Sequence, residues 1–330
     1  MRLLRWGVLS TARIARNKVI PGMRASSRTE VLAIASRDLA QAQATAKALG
    51  IPRAYGSYEE LLADPDIDAV YVPLPNHLHR TWTIAAARAG KHVLCEKPLA
   101  MSAAEAQEMV DACREAGVVL MEAFMYRLHP SWVAVRDLVA SGRIGTLRAV
   151  DSWFSYFNDD PANIRNIREY GGGALYDIGC YSVNLSRMLF GDEPTAVAAS
   201  VVRDPAGGVD ILTSGLLTFA AGTATFGCAT RLEPDQRVHV YGTKGRIEVE
   251  IPFNIPPDLP TRVFVTAGGD PPVAPATEVL EFPPADQYGV QADRFAAAVL
   301  DGAPVPTDPD DAVANLRVIE RLFAAAGTDA

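Results

Sequence analysis

The sequence predicts an α/β protein in two parts: a doubly wound parallel sheet, then an α+β region with a large, mostly antiparallel sheet. The chain has 330 residues, which is long for one hydrophobic core. Over residues 1–124, short apolar strand patterns alternate with helical patterns, which indicates a parallel sheet. After about residue 145, alternating strand patterns separated by glycine turns indicate an antiparallel sheet. We therefore expect two domains, residues 1–124 and 125–330.

In the first domain, short apolar strands are separated by helices. The predicted strands are Leu3–Leu9, Val31–Ser36, Ala69–Val72, His92–Cys95 and Val118–Ala123. The predicted helices are Thr11–Arg24, Asp38–Leu49, a short helix opened by the capping box Ser57–Glu60, His77–Ala89 and Ser102–Ala116. Gly50 and Gly90 follow two of these helices, as glycine often does at helix ends.

The second domain begins with an alternating aromatic strand, Leu147–Phe157, and contains a predicted helix over Gly172–Phe190. Strand patterns recur from Ala196 to Phe282. Because Pro252–Pro275 is rich in proline and glycine, we expect an irregular loop there. Two terminal helices are expected to pack back on the first domain, namely Gln287–Leu300 and Asp310–Ala326.

Charge and composition exclude several classes of protein. The net charge is −8 and no run of Lys or Arg occurs, which argues against nucleic acid and anionic membranes as partners. No apolar stretch reaches the roughly 20 residues of a membrane span. The N-terminus is expected to be a strand rather than a signal peptide, and four scattered cysteines are typical of buried thiols in a reducing compartment. We expect a cytoplasmic protein.

The turn after the first predicted strand has the position of a dinucleotide-binding fingerprint. In G-x-G-x-x-G/A, the three defined positions are here Ser10, Ala12 and Ala15. Small residues and free N–H groups at a helix start can still bind a pyrophosphate, and the hydroxyls of Ser10 and Thr11 can add donors. The predicted cofactor contacts in this turn are Ser10, Thr11, Ala12, Arg13 and Ile14. An ordinary tight strand–helix turn is the alternative.

The end of the second predicted strand favours NADP over NAD. An acidic residue about 20 residues after the glycine turn would bind the ribose hydroxyls of NAD, but Ser36 and Arg37 occupy this region. A hydroxyl and a guanidinium suit a 2′-phosphate, because Arg offers a planar fork of donors. NAD is the less favoured cofactor, and a solvated Arg at a helix start is the alternative explanation of Arg37.

The segment after the third predicted strand, Val72–His79, contains two prolines that fix its path and suit contact with a flat ring. We expect Pro73, Leu74, Asn76 and His79 to contact the cofactor. His77 and His79 lack a third ligand at useful spacing, so no metal site is predicted.

Three further residues carry the predicted chemistry. Lys97, within Glu96-Lys97-Pro98, follows a buried strand, and strand ends are where ligands bind in open α/β sheets. Asp177 and Tyr181 are four residues apart on a predicted helix, so they share one face. The ammonium of Lys97 would lower the pKa of Tyr181, which would exchange a proton with the substrate during hydride transfer. A partly buried helix with a satisfied polar face is the alternative for Asp177 and Tyr181.

Taken together, these segments resemble the Gfo/Idh/MocA oxidoreductases over nearly the whole chain. The most specific motif is Gly171–Tyr181, with the sequence GGGALYDIGCY. It is most similar to the sugar and dihydrodiol dehydrogenases of the family, which carry Tyr at its last position where many members have His. The other motifs are Trp6–Ala15, Val72–His79, Glu96-Lys97-Pro98 and Glu122–Arg127.

The resemblance implies a Rossmann domain, a nicotinamide cofactor and specific residue roles. Lys97 would reach the substrate, Glu96 would lie by the nicotinamide ribose, and the Lys97–Pro98 bond is often cis in the family. Arg127 is similar to a position near the nicotinamide, and Arg165 would bind substrate or cofactor; a surface ion pair is the alternative for each. The family also implies a homodimer or higher homo-oligomer through the C-terminal sheet.

We therefore expect an NADP-dependent dehydrogenase of a sugar or polyol. The favoured reaction is oxidation of an aldose such as xylose or glucose to a lactone, with Lys97, Tyr181 and Asp177 as catalytic residues and Lys97, Arg165, Asp177 and Tyr181 as substrate contacts. A keto-sugar reductase or a trans-dihydrodiol dehydrogenase with the same residues is an alternative. An NADP-binding sensor without turnover is the non-enzyme alternative.

Overall fold

A computed structural model of the chain describes residues 2–268 and 276–327. Its first sheet has six parallel strands in the order β3-β2-β1-β4-β5-β6, which is the Rossmann order. The strands are β1 (Leu4–Leu9), β2 (Thr29–Ala35), β3 (Arg53–Tyr55), β4 (Ala69–Val72), β5 (His92–Cys95) and β6 (Leu120–Glu122). The predicted parallel sheet is confirmed; β3, with only three residues, was not predicted.

Helices join these strands, and several begin at the predicted caps. They are α1 (Ile20–Ala25), preceded by a π-helical turn over Ala15–Val19, then α2 (Leu39–Leu49), α3 (Tyr58–Leu62), α4 (Asn76–Arg88) and α5 (Ala103–Glu115). The side chains of Asp38, Ser57 and Ser102 each accept an N–H three residues further on. These caps satisfy donors that a helix start leaves without an internal partner, which explains why the helices begin there.

The core of the first sheet is closed by a helix from the far end of the chain. Helix α8 (Gln287–Asp301) packs on β1 and α1, and the rings of Trp6 and Phe295 lie 5.0 Å apart between centroids. At Gly22 the helices approach so closely that an added Cβ would lie 2.7 Å from the backbone nitrogen of Gly289. Two small residues therefore allow the C-terminal segment to cover the sheet.

The second sheet has eight strands in the order β14-β13-β12-β11-β7-β10-β9-β8. The strands are β7 (Leu147–Phe157), β8 (Ala196–Arg203), β9 (Asp210–Thr218), β10 (Thr223–Ala229), β11 (Arg231–Gly242), β12 (Gly245–Val249), β13 (Thr261–Ala267) and β14 (Thr277–Phe282). All neighbours are antiparallel except β7 and β10, which are parallel. The large, mostly antiparallel sheet is thus confirmed.

The irregular loop predicted over Pro252–Pro275 is wrong in part. Strand β13 lies within it and pairs with both β12 and β14. Its sequence, Thr-Arg-Val-Phe-Val-Thr-Ala, is β-branched and alternates, and this local pattern outweighs the flanking prolines. Residues 269–275 of the predicted loop lie outside the described residues.

The described residues contain three further α-helices, and one of them begins irregularly. They are α6 (Pro130–Ala140), α7 (Cys180–Phe190) and α9 (Pro309–Ala325). The helix predicted over Gly172–Phe190 begins with a π-helical turn, Leu175–Gly179, before α7. This wider turn carries Asp177, and such turns are frequent at functional sites.

The chain divides into two compact units. The first contains Met1–Met125 and Asp286–Val313, and the second contains Tyr126–Ala285 and Ala314–Ala330. All four cysteines are buried and none forms a disulfide. Within residues 2–268 and 276–327, no helix is both long and apolar enough to cross a membrane. The cytoplasmic location stays a prediction.

Candidate active-site residues

The turn after β1 accommodates serine where the fingerprint has its first glycine. Ser10 has a φ of 150°, in the range where glycine is favoured. Its Oγ accepts a 3.0 Å hydrogen bond from the backbone N–H of Ala12. The hydroxyl oxygen of Ser10 therefore stabilises the turn itself, and its O–H stays available for the predicted role as a donor to phosphate. Ala15 is fully buried, so this small residue packs the first helical turn against the sheet.

At the end of β2, the structure gives Ser36 and Arg37 different roles. The hydroxyl of Ser36 is buried, lies 3.2 Å from Gln41 Oε1 and accepts the backbone N–H of Asp38 at 3.2 Å. Arg37 is exposed, and no residue of the described ranges forms a hydrogen bond or ion pair with it. Burial raises the pKa of Tyr58, and the nearby positive charge of Arg37 opposes this shift. Arg37 is thus the group of this pair that can meet an anion.

The segment after β4 leads into α4 and contains a buried histidine. His79 is fully buried, with Nε2 2.8 Å from the carbonyl oxygen of Leu74 and Nδ1 2.9 Å from that of Pro98. Burial lowers the pKa of His79 to about 4, against the opposing effect of these carbonyls. Both ring nitrogens already face protein atoms, so the predicted direct contact with a cofactor does not fit His79. Pro73, Leu74 and Asn76 remain candidates.

The loop after β5 is fixed by side chains from neighbouring strands. Tyr71, on β4, donates a 2.6 Å hydrogen bond to Glu96 Oε1. Glu122, at the end of β6, accepts the backbone N–H of Leu99 at 2.8 Å. The peptide bond between Lys97 and Pro98 is cis, as the family resemblance implied. The loop that carries Lys97 is therefore bonded on both sides of this residue.

Tyr71 and Glu122 were not among the predicted site residues. Burial, followed by the negative charge of Glu96, raises the pKa of Tyr71 well above its ordinary value, so its hydroxyl stays a donor. The sequence held a weak signal for both residues, because each is a polar side chain within a short buried strand. A buried polar side chain needs a hydrogen-bond partner. In a parallel sheet, the residues at the end of the neighbouring strand are close enough to provide one.

In the second unit, Asp177 binds the side chains of Tyr156 and Arg165. Its Oδ2 accepts hydrogen bonds from the hydroxyl of Tyr156 at 2.6 Å and from Nε of Arg165 at 2.9 Å. Burial and the Asp177 charge raise the pKa of Tyr156, which keeps that phenol protonated and donating. Arg165 and Asp177, both predicted as site residues, thus lie together, and Tyr156 is a partner that the sequence did not predict.

Glycines before the π-helical turn permit this arrangement. An added Cβ at Gly172 would lie 2.6 Å from the carbonyl oxygen of Arg165. Gly173 has a φ of 117°, and an added Cβ there would collide with the carboxylate of Asp210. That carboxylate accepts the backbone N–H of Leu175 at 2.7 Å and so caps the turn. The glycines therefore allow the backbone of Arg165 to approach the turn that carries Asp177.

Tyr181 lies on α7 among aromatic rings. Its ring centroid is 5.2 Å from that of Phe253, 5.7 Å from that of Tyr126 and 5.8 Å from that of Phe154. Phe154 and Tyr156 are two residues apart and therefore point to the same side of β7. Asp177 and Tyr181 thus meet one face of one strand, through Tyr156 and Phe154 respectively. Tyr181 is 5% exposed and packs against these three rings.

Arg127, predicted near the nicotinamide, binds Asn184 in the structure. Its Nη1 donates to Asn184 Oδ1 at 3.2 Å, and the hydroxyl of Tyr126 donates to the same oxygen at 2.7 Å. Asn184 is fully buried and lies one turn after Tyr181 on α7. This asparagine was not predicted, since its partners follow only from the packing of α7.

A cleft of about 520 Å³ opens beside Phe154 and Tyr156. It lies within the second unit and is lined by polar and apolar side chains from β7, β11 and the segment after β12. The lining residues are Phe154, Ser155, Tyr156, Pro234, Asp235, Gln236, Glu250, Ile251 and Asn254. Within the described residues, no cluster of His, Cys, Asp or Glu could hold a metal ion.

Two family models match the chain. Residues 4–124 match the oxidoreductase family with an NAD-binding Rossmann fold, and residues 132–248 match the GFO/IDH/MocA C-terminal domain. The chain is 42% identical to D-xylose 1-dehydrogenase (NADP(+)) 2 of Haloferax volcanii over 327 residues, which is 98% of each chain. It is 36% identical to trans-1,2-dihydrobenzene-1,2-diol dehydrogenase of Mus musculus over 251 residues, 75% of this chain and 74% of that one.

A solved structure agrees with these relatives. KijD10, a 3-ketoreductase from Actinomadura kijaniata in complex with NADP and TDP-benzene, superposes with a TM-score of 0.90 and 31% identity, covering 98% of each chain. Both sheets are therefore shared with an enzyme of known structure. The protein belongs to the Gfo/Idh/MocA oxidoreductase family and is an NAD(P)-dependent dehydrogenase that acts on CH–OH groups.

Proposed function

We propose that the protein is an NADP-dependent aldose dehydrogenase that oxidises the anomeric carbon of a sugar such as xylose or glucose to a lactone. The observation that carries this proposal is the meeting of Asp177 and Tyr181 on one face of β7, beside a cleft lined by both polar and apolar side chains. A sugar offers several hydroxyl groups to the polar side chains. The full-length similarity to a D-xylose 1-dehydrogenase supports the same substrate class.

The residues of the first unit fit a nicotinamide dinucleotide. The strand order is that of a dinucleotide-binding sheet, and the turn after β1 combines the glycine-like φ of Ser10 with the small residue Ala15 at the helix start. Arg37 offers an exposed guanidinium at the end of β2, where a 2′-phosphate would be recognised. NADP is therefore the proposed cofactor, and the cofactor supplies the hydride acceptor when it is bound.

Tyr181 is the proposed base. When the C–H bond of the anomeric carbon gives up its hydride, the hydroxyl proton leaves to Tyr181 Oη and the carbonyl of the lactone forms. A cation close to the hydroxyl favours the phenolate form of a tyrosine, and we assign that role to Lys97. Asp177, oriented by Tyr156 and Arg165, would accept a hydrogen bond from a sugar hydroxyl.

Reduction of a keto sugar is the second candidate function. The similarity to the 3-ketoreductase KijD10 favours it, and the same groups would act in reverse, with Tyr181 donating its proton to the new alkoxide. The similarity to the mouse dihydrodiol dehydrogenase supports a trans-dihydrodiol as a further candidate substrate for the same residues. These reactions differ in substrate and direction and share the proposed proton-transfer group.

A substrate panel tests these functions directly. Aldoses and a trans-dihydrodiol are incubated with NADP and, separately, with NAD, and keto sugars are incubated with NADPH while nicotinamide absorbance is recorded. We expect oxidation of an aldose, with a higher kcat/KM for NADP than for NAD. Turnover of keto sugars alone would replace the first function by the second. A preference for NAD would contradict the assignment of Arg37.

We also propose a homodimer or higher homo-oligomer formed through the eight-stranded sheet. The strand register places Val202, Leu216 and Tyr241 on one face, and each of these side chains is exposed. A sheet face that exposes several large apolar side chains is a candidate for an interface. Light scattering during size-exclusion chromatography measures the assembly, and replacement of Val202 and Leu216 by Lys should yield monomers. A monomeric wild-type protein would contradict the proposal.

A further inference from the structure

Asp210, at the start of β9, is a buried carboxylate that the proposed mechanism does not use. It is 1% exposed, and its Oδ2 accepts hydrogen bonds from the backbone N–H of Leu175 at 2.7 Å and from the hydroxyl of Thr213 at 2.8 Å. Burial raises the pKa of Asp210, and these two hydrogen bonds oppose the shift. The carboxylate is therefore held against the π-helical turn that carries Asp177.

Gly173 connects this carboxylate to the proposed substrate contacts. Gly173 has no Cβ, and Oδ1 of Asp210 occupies the space that a Cβ would fill. The N–H of Gly173 donates to the carbonyl oxygen of Arg165 at 2.9 Å, and its carbonyl oxygen accepts the N–H of Asp177 at 3.0 Å. The side chains of Arg165 and Asp177 also bind each other. A shift of the backbone at Gly173 would therefore move both of these groups.

We propose that Asp210 is a positioning residue for substrate affinity, whose carboxylate fixes the backbone from Gly173 to Leu175 and, through it, the carboxylate of Asp177. This inference rests on the proposed role of Asp177 as a substrate contact. Every residue in this series of contacts belongs to the second unit. We therefore expect Asp210 to affect binding of the sugar and not binding of the nucleotide.

Asp210→Ala removes the acceptor of both hydrogen bonds and opens space beside Gly173. The turn can then shift, which weakens the hydrogen bond from a sugar hydroxyl to Asp177. Steady-state kinetics use the aldose with the highest kcat/KM in the substrate panel, and fluorescence titration measures NADP binding. We expect the KM for the aldose to rise about 10-fold, kcat to fall less than about threefold and the Kd for NADP to stay within about twofold.

Asp210→Asn is the conservative variant. The amide oxygen of Asn has two lone pairs, so it can accept both the Leu175 N–H and the Thr213 hydroxyl. We expect this variant to keep the KM for the aldose within about threefold of the wild-type value. The same increase of KM in Asp210→Asn and Asp210→Ala would contradict a role for these two hydrogen bonds and overturn the proposal.

Gly245→Ala is the control for lost stability. Gly245 lies at the start of β12, where an added Cβ would lie 2.6 Å from the carbonyl oxygen of Thr266. This variant should have a lower Tm and the wild-type KM for the aldose. If Asp210→Ala likewise lowers the Tm and keeps the wild-type KM, Asp210 only stabilises the fold and the proposal is wrong.

Asp177→Ala separates this proposal from the proposed function. If Asp177→Ala keeps the wild-type KM, the role of Asp177 as a substrate contact is wrong, and Asp210 is then judged by amide hydrogen exchange, which needs no substrate. Asp210→Ala should speed exchange at the N–H of Asp177 as well as at that of Leu175, whereas Gly245→Ala should not. Wild-type exchange at Asp177 in Asp210→Ala would overturn the positioning role.

Gly173→Ala is the second variant, for the case that Asp210→Ala does not fold. Its added Cβ would collide with the same carboxylate and displace the turn from the opposite side. The KM for the aldose should again rise while the Kd for NADP stays near the wild-type value. An unchanged KM in Gly173→Ala would show that the position of this backbone does not affect substrate affinity, and the proposal would be wrong.

Discussion

The nucleotide edge of the first unit and the Asp177–Tyr181 region of the second unit hold their functional groups in different ways. In the turn after β1, the backbone angle of Ser10 and a bond to a backbone N–H define the geometry. In the second unit, Asp177 is oriented by two other side chains, and Tyr181 is packed among rings. Backbone geometry tolerates a changed residue, as at Ser10, whereas side-chain geometry depends on the identity of each partner.

The largest expected effect is on turnover, in Tyr181→Phe. Phe keeps the ring that packs on Phe154 and Phe253 and removes only the hydroxyl. Since general acid–base groups contribute roughly 10²- to 10⁴-fold, kcat should fall by that factor while the Tm stays near the wild-type value. Steady-state kinetics and calorimetry measure the two quantities. Undiminished turnover would show that Tyr181 does not transfer the proton. The packing of Tyr181 among aromatic rings would then be structural only.

Arg37→Ala tests a proposed nucleotide contact in the first unit that depends on a charged side chain rather than on backbone geometry. Its guanidinium is exposed, and charge-assisted bonds to a phosphate contribute roughly 1.5–3 kcal/mol, so the Kd for NADP should rise about 10- to 100-fold. Binding of NAD, which lacks the 2′-phosphate, should not change. Fluorescence titration with both nucleotides measures this, and Arg88→Ala, on the last turn of α4, is the surface control. Equal weakening of both nucleotides would argue against 2′-phosphate recognition.

Gly173→Ala tests how far the stability of the second unit depends on the close approach of Gly173 to the Asp210 carboxylate. The residue has a φ of 117°, and its missing Cβ faces the Asp210 carboxylate that caps the π-helical turn. Strain at such an angle costs about 1–3 kcal/mol, and the collision adds to it. Gly191→Ala is the control, because Gly191 has a φ of 62° and open space around its missing Cβ. Urea unfolding should show a larger loss of unfolding free energy for Gly173→Ala than for Gly191→Ala. Equal losses would mean that backbone strain, and not the collision with Asp210, determines the effect.

The smallest expected effect is that of Ser10→Gly. Glycine adopts the φ of 150° without strain, and the substitution removes one hydrogen bond to the Ala12 N–H. These opposing changes should keep the free energy of unfolding within about 1 kcal/mol of the wild-type value. NADP affinity should stay within about threefold, because the backbone defines this turn. A large loss of affinity would show that the serine hydroxyl itself matters, and the contrast between the two units would weaken.

Local patterns in the sequence predicted the parts of the fold that local chemistry decides. Strands β5 and β7 have the predicted bounds, and the Ser57 capping box begins α3 as expected. The short strand β3 and the π-helical turn at Leu175–Gly179 depend on tertiary packing, so no pattern indicated them.

The same distinction applies to the site. Lys97, Asp177 and Tyr181 belong to recognisable sequence motifs. Their positions within those motifs were enough to identify them as candidate site residues. Tyr71, Tyr156 and Asn184 bind site residues that are 21 to 57 positions away in the chain. Their partners follow from strand order and helix packing, which a single sequence does not encode as a spacing. Likewise, His79 was predicted as a cofactor contact because its backbone position is near the cofactor segment, while its burial was not visible.

The parallel pairing of β7 with β10 has a consequence for the order of folding. Parallel neighbours cannot be joined by a hairpin, so the chain must leave β7, form α7, β8 and β9, and return before β10 can pair with it. Pairing between strands that are far apart in the sequence is slow. The long loop between them must close, at a cost in conformational entropy, before the contacts that offset this cost can form. Tyr156 on β7 and Asp177 ahead of α7 lie on this crossover. We therefore expect the Asp177 site to mature late, after the hairpins at both edges of the sheet have formed.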